Sequence, residues 1–177
     1  AHPEPGAAAA PADLAAALGW HPATVPGTVA GALLAEPVTG LYSGTDFDAF
    51  DWWYRGNFRL QPPPAATPCL LVFEGLATLA EVWLNGTLIL TADNMFRRYE
   101  VEVGALLRTE NTLHLAFRAL APALAAKRPR PRWKTRLVHE QNLRWVRTTL
   151  LGRIPAWTPP VKPVGPWRGV HLGIADP

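Results

Sequence analysis

At 177 residues, with 49% hydrophobic and 18% charged residues, the chain has the composition of one ordinary globular domain with enough apolar mass for a full core. A single cysteine, Cys69, excludes an intrachain disulfide and a thiolate metal cluster, and no apolar run approaches transmembrane length. The formal net charge is +3, and six of the seventeen Lys+Arg fall in "KRPRPRWKTR" (Lys127 to Arg136), so basic character is local.

Nineteen prolines and fourteen glycines point to many short elements joined by turns rather than to long helices. Residues 1–19 are Ala/Pro-rich and lack the basic start and apolar core of a signal peptide. They read as an ill-ordered or peripheral lead-in. The first residue is Ala1 rather than Met, as in a processed or excised piece. The scarcity of cysteine points to a cytoplasmic setting, with a secreted or periplasmic one left open.

Residues 20–174 read as a single domain, and 175–177 as its C-terminal end. After the Pro26-Gly27 turn signal, Val29 to Ala35 can form a helical turn or two. In Trp53 to Leu60, Tyr54, Phe58 and Leu60 share one parity while Arg55, Asn57 and Arg59 share the other, the period of a half-buried strand. "CLLVFEG" is a near-continuous apolar strand closed by Gly75. "LAEVWL" places Ala80, Val82 and Leu84 on one side. Asn85-Gly86 suits a two-residue type I′ turn, because both residues tolerate positive φ. "TLILT" returns from it. "YEVEV" and "TLHLAFR" then alternate, with Tyr99, Val101, Val103, Leu113, Leu115 and Phe117 inward. Residues 119–135 read as a Pro/basic loop. In 137–151, Leu143, Val146, Leu150 and Leu151 fit helical spacing, so a short helix is expected there, with a strand through "RWVRTTL" as the other reading. A Pro-rich loop and a last strand after Trp167-Arg168 complete the domain. Short strands at regular spacing indicate an all-β fold, an antiparallel β-sandwich.

Candidate chemistry is sparse. A glycosidase needs two carboxylates flanking a bond, but Glu81, Glu100 and Glu102 have solvent-face parity. Asp46, Asp48 and Asp51 cluster in one loop and read as loop-capping acids; as a Ca²⁺ site they lack the required frame. The five histidines are far apart and Ser43 is the only serine, so neither a metal site nor a triad is expected, and no cofactor loop occurs. Eight tryptophans suit either sugar stacking or a sandwich core. Trp157, in a Pro-flanked loop, is the best candidate for the first role. "KRPRPRWKTR" could bind phosphates with Trp133 as a stacking platform, but reads better as a solvated loop or a surface that docks on another domain. "ADNMFRRY" puts an amide, a thioether, an aromatic ring and two guanidiniums where a strand should have ended.

Five stretches occur in order: "VPGTV" (Val25 to Val29), "DWWYRGNF" (Asp51 to Phe58), "FEGLATLAEVWLNG" (Phe73 to Gly86), "DNMFRRYEVEV" (Asp93 to Val103) and "GPWRGVHL" (Gly165 to Leu172). Together they resemble the N-terminal sugar-binding domain of glycoside hydrolase family 2 enzymes, most of all the β-mannosidase branch. Trp53, Arg55, Gly75, Asn85, Gly86, Trp167 and Arg168 carry the structural part of that likeness. The resemblance implies a jelly-roll β-sandwich of the galactose-binding-domain type. It also implies a non-catalytic module whose partners are a downstream immunoglobulin-like domain and a (β/α)₈ barrel bearing the catalytic glutamates, without membrane or nucleic-acid contact. It implies that the loop at 93–98 faces the barrel's active-site mouth. Asn94 would bind the terminal sugar there, as an amide that both donates and accepts. Arg97 would bond carboxylates of the barrel or of the loop itself, and Met95 and Phe96 would anchor the loop by packing. Asn94, Arg97 and Trp157 are the substrate-binding candidates. An alternative implication for Asn94 is a turn cap. One stretch departs from the family: β-mannosidases are similar in a Gly-Trp-Asp-Trp-Gly-Pro segment, and Ala156 stands at its Asp. A free-standing carbohydrate-binding module and a basic interaction domain at residues 127–136 are the rival readings.

Overall fold

The computed structural model describes residues 6, 8–14, 19–34, 44–61, 68–129, 132, 135–155 and 158–174. Trp133, Ala156, Trp157 and residues 175–177 lie outside them. Among the described residues, seven strands form two antiparallel sheets: β1 (Trp52–Arg59), β2 (Cys69–Phe73), β3 (Ala80–Leu84), β4 (Thr87–Ala92), β5 (Tyr99–Glu102), β6 (Glu110–Phe117) and β7 (Val170–Ile174). One sheet has the order β1-β6-β3-β4 and the other β5-β2-β7.

The core lies between the two sheets and follows the alternation of the sequence. Trp52 in β1, Val82 and Leu84 in β3, and Leu113, Leu115 and Phe117 in β6 face Leu71 and Phe73 of β2 and Tyr99 of β5, and all are buried. Tyr54 and Phe58 pack against that cluster from the same face of β1. The β3–β4 hairpin turns on Asn85 (φ 52°) and Gly86 (φ 84°), the two positive angles that a type I′ turn needs. Asn85 is also a strut. Its amide nitrogen donates to Leu106 O and Asn111 Oδ1, and its Oδ1 accepts from Thr112 N.

The other face of the larger sheet is covered too. Trp53 and Trp83 stack there with ring centroids 5.3 Å apart, and Ala8 and Ala116 are buried beside them. Arg118 lies over both indoles. All five of its N–H groups are used, on Glu81 and Asp51 carboxylates and on the carbonyls of Ala8 and Ala9. Burial alone would lower the Arg118 pKa, but the hydrogen bonds and charges of Glu81 and Asp51 outweigh it and hold it above its ordinary value.

Four expectations are corrected here. Residues 8–14 are not peripheral: they close the outer face through Arg118. Glu81, though on the solvent-side parity, is an ion-pair partner, and Asp51 and Asp48 are buried ion-pair acids rather than turn caps. Only Asp46 caps, accepting from Asp48 N at 3.0 Å. Residues 119–135 are not all loop: Leu120–Ala125 is a short helix, α2, following α1 (Val29–Leu34) in chain order. Alanine and leucine favour it, and Pro122 sits in its first turn, where a missing N–H does no harm. Within 137–151 the helical turn is of the 3₁₀ type and confined to Gln141–Trp145. Leu143 is buried by it, but Leu150 and Leu151 are exposed.

Two predictions follow the packing. Leu115→Ala removes a buried side chain between the sheets and should cost about 2–5 kcal/mol in chemical denaturation; a loss within the surface range of about half a kcal/mol would contradict the inward parity. His114 lies edge-on to Trp53, and its pKa is lowered from 6.5, first by burial and second by the Arg55 charge. The unfolded chain therefore takes up the proton first as pH falls, so this histidine's contribution is complete above the unfolded value and lost below it. Between about pH 7 and about pH 5, the melting temperature of wild type should fall relative to that of His114→Gln.

Candidate functional site

The loop that carries β4 of one sheet into β5 of the other contains Asn94 to Arg98. Its conformation begins with an Asx turn: the Phe96 N–H donates to Asn94 Oδ1 at 3.0 Å. The Asn94 carbonyl accepts from the Tyr99 hydroxyl at 3.2 Å and from Arg97 N. The acceptor half of the Asn94 side chain thus holds the turn. The donor half, Nδ2, has no hydrogen-bond partner among the described residues.

Met95 clamps the loop from beneath. It is only 3% exposed. Its N–H donates to the Arg147 carbonyl, in a parallel bridge that aligns Asn94 with Arg147. Its sulfur accepts from Thr149 N at 2.9 Å and from the Thr148 hydroxyl at 3.4 Å. Its carbonyl accepts from Trp167 Nε1 at 2.9 Å. That indole fits because residue 75 is glycine: a Cβ there would lie 2.5 Å from Trp167 Nε1 and 3.2 Å from the Met95 carbonyl oxygen. The Arg168 guanidinium lies over the same indole, 4.3 Å from its centroid. Gly75, Trp167 and Arg168, three residues of the sequence signature, therefore serve one loop.

Phe96 does not anchor the loop as expected. It is 56% exposed. With Met95 turned inward, its neighbour in the turn must point outward. Trp145, Leu150 and Leu151 are exposed on the segment that bridges to the turn at Arg147. Two cations adjoin it. Arg98 is committed to Glu74 and Glu100. Arg97 packs its guanidinium on the Tyr99 ring, 5.3 Å from the centroid, and has no carboxylate partner among the described residues. Asn94 and Arg97 share this turn, joined by the bond from Arg97 N–H to the Asn94 carbonyl. Trp157 lies outside the described residues. Trp53, Arg55, Asn85 and Gly86 are away from the loop, in the sheet framework.

Sequence reasoning missed the pair that holds the supporting segment. Arg153 donates from Nε to Asp48 Oδ2 at 2.8 Å and from its terminal nitrogen to Asp48 Oδ1 at 2.6 Å, with both side chains buried. It also donates to the Thr149 carbonyl. Lys162 bonds Asp46 at 2.7 Å alongside. The partners are 105 positions apart, and nothing local to either one signals the other. Among the described residues, no group of three or more His, Cys, Asp or Glu side chains is placed to hold a metal ion, and no helix is long and apolar enough to cross a membrane.

Two antiparallel sheets packed face to face, with a clamped donor-bearing loop crossing between them, define a β-sandwich of the galactose-binding-domain type. Residues 7–168 match the family described as Glycosyl hydrolase 2 galactose-binding domain-like, and the chain belongs to that family. Among curated relatives, beta-mannosidase B of Thermothelomyces thermophilus is 35% identical over 136 residues, which are 71% of this chain and 15% of the relative. Beta-mannosidase of Bos taurus is 35% identical over 106 residues, 55% of this chain and 12% of the relative. The crystal structure of a beta-D-mannosidase from Dictyoglomus thermophilum superposes with a TM-score of 0.65 at 24% identity, covering 86% of this chain and 20% of that one, and so shares the fold. The chain spans about 15% of the length of the first of these relatives.

The clamp generates a stability prediction. Gly75→Ala presses a methyl group against an indole that cannot retreat without losing its bond to Met95, so it should destabilise the domain by about 1–3 kcal/mol in urea. An unchanged midpoint would mean that Trp167 is free to move aside.

Proposed function

We propose that this β-sandwich is the non-catalytic sugar-facing domain of a family 2 glycoside hydrolase that cleaves O-glycosidic bonds. Catalysis then resides in a downstream barrel of the same polypeptide, and the 93–98 loop stands at its active-site mouth. The observation that carries the reading is the division of labour in Asn94. Its Oδ1 is spent on the turn, while its Nδ2 has no hydrogen-bond partner among the described residues, on a loop that Met95, Trp167 and Arg147 hold in place. A preorganised donor is what a sugar hydroxyl needs, since no ordering of the loop is then required on binding. Phe96 in the turn, and Trp145, Leu150 and Leu151 on the segment that bridges to it at Arg147, are exposed apolar residues of the kind that a second domain covers. The names of the relatives make a β-mannoside the first substrate to try.

The Asx turn makes the test selective. Asn94→Asp keeps the Oδ1 acceptor, replaces the donor by a second acceptor and adds a negative charge. Asn94→Ala loses both acceptor and donor. In the full-length enzyme, Asn94→Asp should lower kcat/KM by about tenfold or more, the loss of a substrate hydrogen bond of about 1–3 kcal/mol, at an unchanged melting temperature. Asn94→Ala should lower both activity and melting temperature. Wild-type kcat/KM in Asn94→Asp would show that the residue only turns the chain.

A further inference from the structure

The larger sheet has one edge whose backbone is unused. β1 is its first strand and pairs only with β6. The direction of its peptide groups can be worked out. Leu60 N–H donates to the Thr109 carbonyl, one step beyond the Arg59↔Glu110 register. Antiparallel ladders alternate between bonded and non-bonded pairs. Tyr54↔Leu115 and Gly56↔Leu113 share the bonded parity, so Tyr54 and Gly56 bond β6. Trp53, Arg55 and Asn57 therefore aim their N–H and C=O groups away from the sheet. The other side of β6 agrees: Asn85 N–H donates to Thr112 O, which assigns the even residues of β6 to β3. No described residue satisfies the outward groups of Trp53, Arg55 and Asn57.

A cavity of about 450 Å³ opens along this edge, between β1 and the segment from Trp20 to Leu33. Gly56 lines it, sharing the parity of Tyr54 and Phe58, and a Cβ there would meet open space, with nothing within 4 Å. Its inner wall is apolar, with Val29, Leu33, Leu113 and Leu115. Its outer rim carries Arg55, whose guanidinium lies 4.4 Å from the centroid of the Trp20 ring. Arg55 has no carboxylate partner among the described residues, and no acidic residue lines the cavity.

We propose that the β1 edge is a strand-addition site for an extended peptide segment that alternates apolar and acidic residues. Main-chain bonds to Trp53, Arg55 and Asn57 supply the pairing, as they do wherever a peptide adds a strand to an open sheet. The side-chain period of two then divides the segment's residues. Those level with Tyr54 and Gly56 enter the cavity, where apolar groups match Val29, Leu33, Leu113 and Leu115. The one level with Arg55 lies on the outer face, where a carboxylate meets the guanidinium. Charge argues against a second copy of this chain: two β1 edges paired about Arg55 would set like charges opposite each other.

The test is fluorescence anisotropy of the 177-residue chain with a labelled heptapeptide alternating valine and glutamate. Three comparisons accompany it: lysine replacing glutamate, alternate backbone nitrogens methylated on the bonding edge, and the Arg55→Glu chain. Saturable binding is expected, weakened about tenfold or more by each change. The N-methylated and lysine peptides keep the test decisive if Arg55→Glu fails to fold. Absence of saturable binding to the wild-type chain, or binding indifferent to N-methylation or to glutamate-to-lysine replacement, would overturn the proposal. So would a sedimentation result in which the wild-type chain is a dimer and the peptide cannot compete, because the second copy would then be the occupant.

Discussion

The hydrogen bond from the Trp167 indole to the Met95 carbonyl ties three distant parts of the chain into one object. Trp167 precedes β7 in the smaller sheet, Met95 lies in the loop between the sheets, and Gly75 at the end of β2 leaves the space in which they meet. A buried carbonyl without that donor would be costly, and without the indole Met95 would lose its cover. The turn at Asn94 is the visible result. Its conformation depends less on its own residues than on what is held below it.

Two arginines, half-buried Arg118 and buried Arg153, do comparable work. Arg118 joins the lead-in, β3 and the start of β1 over a pair of stacked indoles. Arg153 joins the segment behind Met95 to the Asp48 turn. In both, the planar guanidinium meets carboxylate and carbonyl acceptors together: Arg118 uses all five N–H groups, and Arg153 bonds both Asp48 oxygens and the Thr149 carbonyl. Removing one partner of the Arg153–Asp48 pair would strand a buried charge, which is why such pairs specify an arrangement more surely than they add net stability. The rigidity of the donor-bearing loop is in this sense partly electrostatic.

Much of the sandwich was legible from alternation. The inward residues of β3, β5 and β6, the Asn85-Gly86 turn and the strand at Trp53 all follow from period two and turn chemistry, which are local properties. The site was legible only in outline. The stretch "DNMFRRY" broke the strand pattern, but its sequence does not say that Met95 turns in and Phe96 out. Both are apolar, and the choice depends on Thr149 and Trp167, which are far along the chain. For the same reason the acids at Asp48 and Asp51 look like turn caps until their arginine partners arrive.

The sequence by itself determined the antiparallel sandwich, its core residues and the motif signature, because backbone periodicity and the need to bury alternate side chains act over a few residues at a time. Only the tertiary structure decided, among the described residues, which half of the Asn94 amide lacks a partner, which arginine near it lacks a carboxylate, and that the edge of β1 is unpaired. Those outcomes are set by which groups meet across long separations, and a donor is left over only after every nearer acceptor has been assigned.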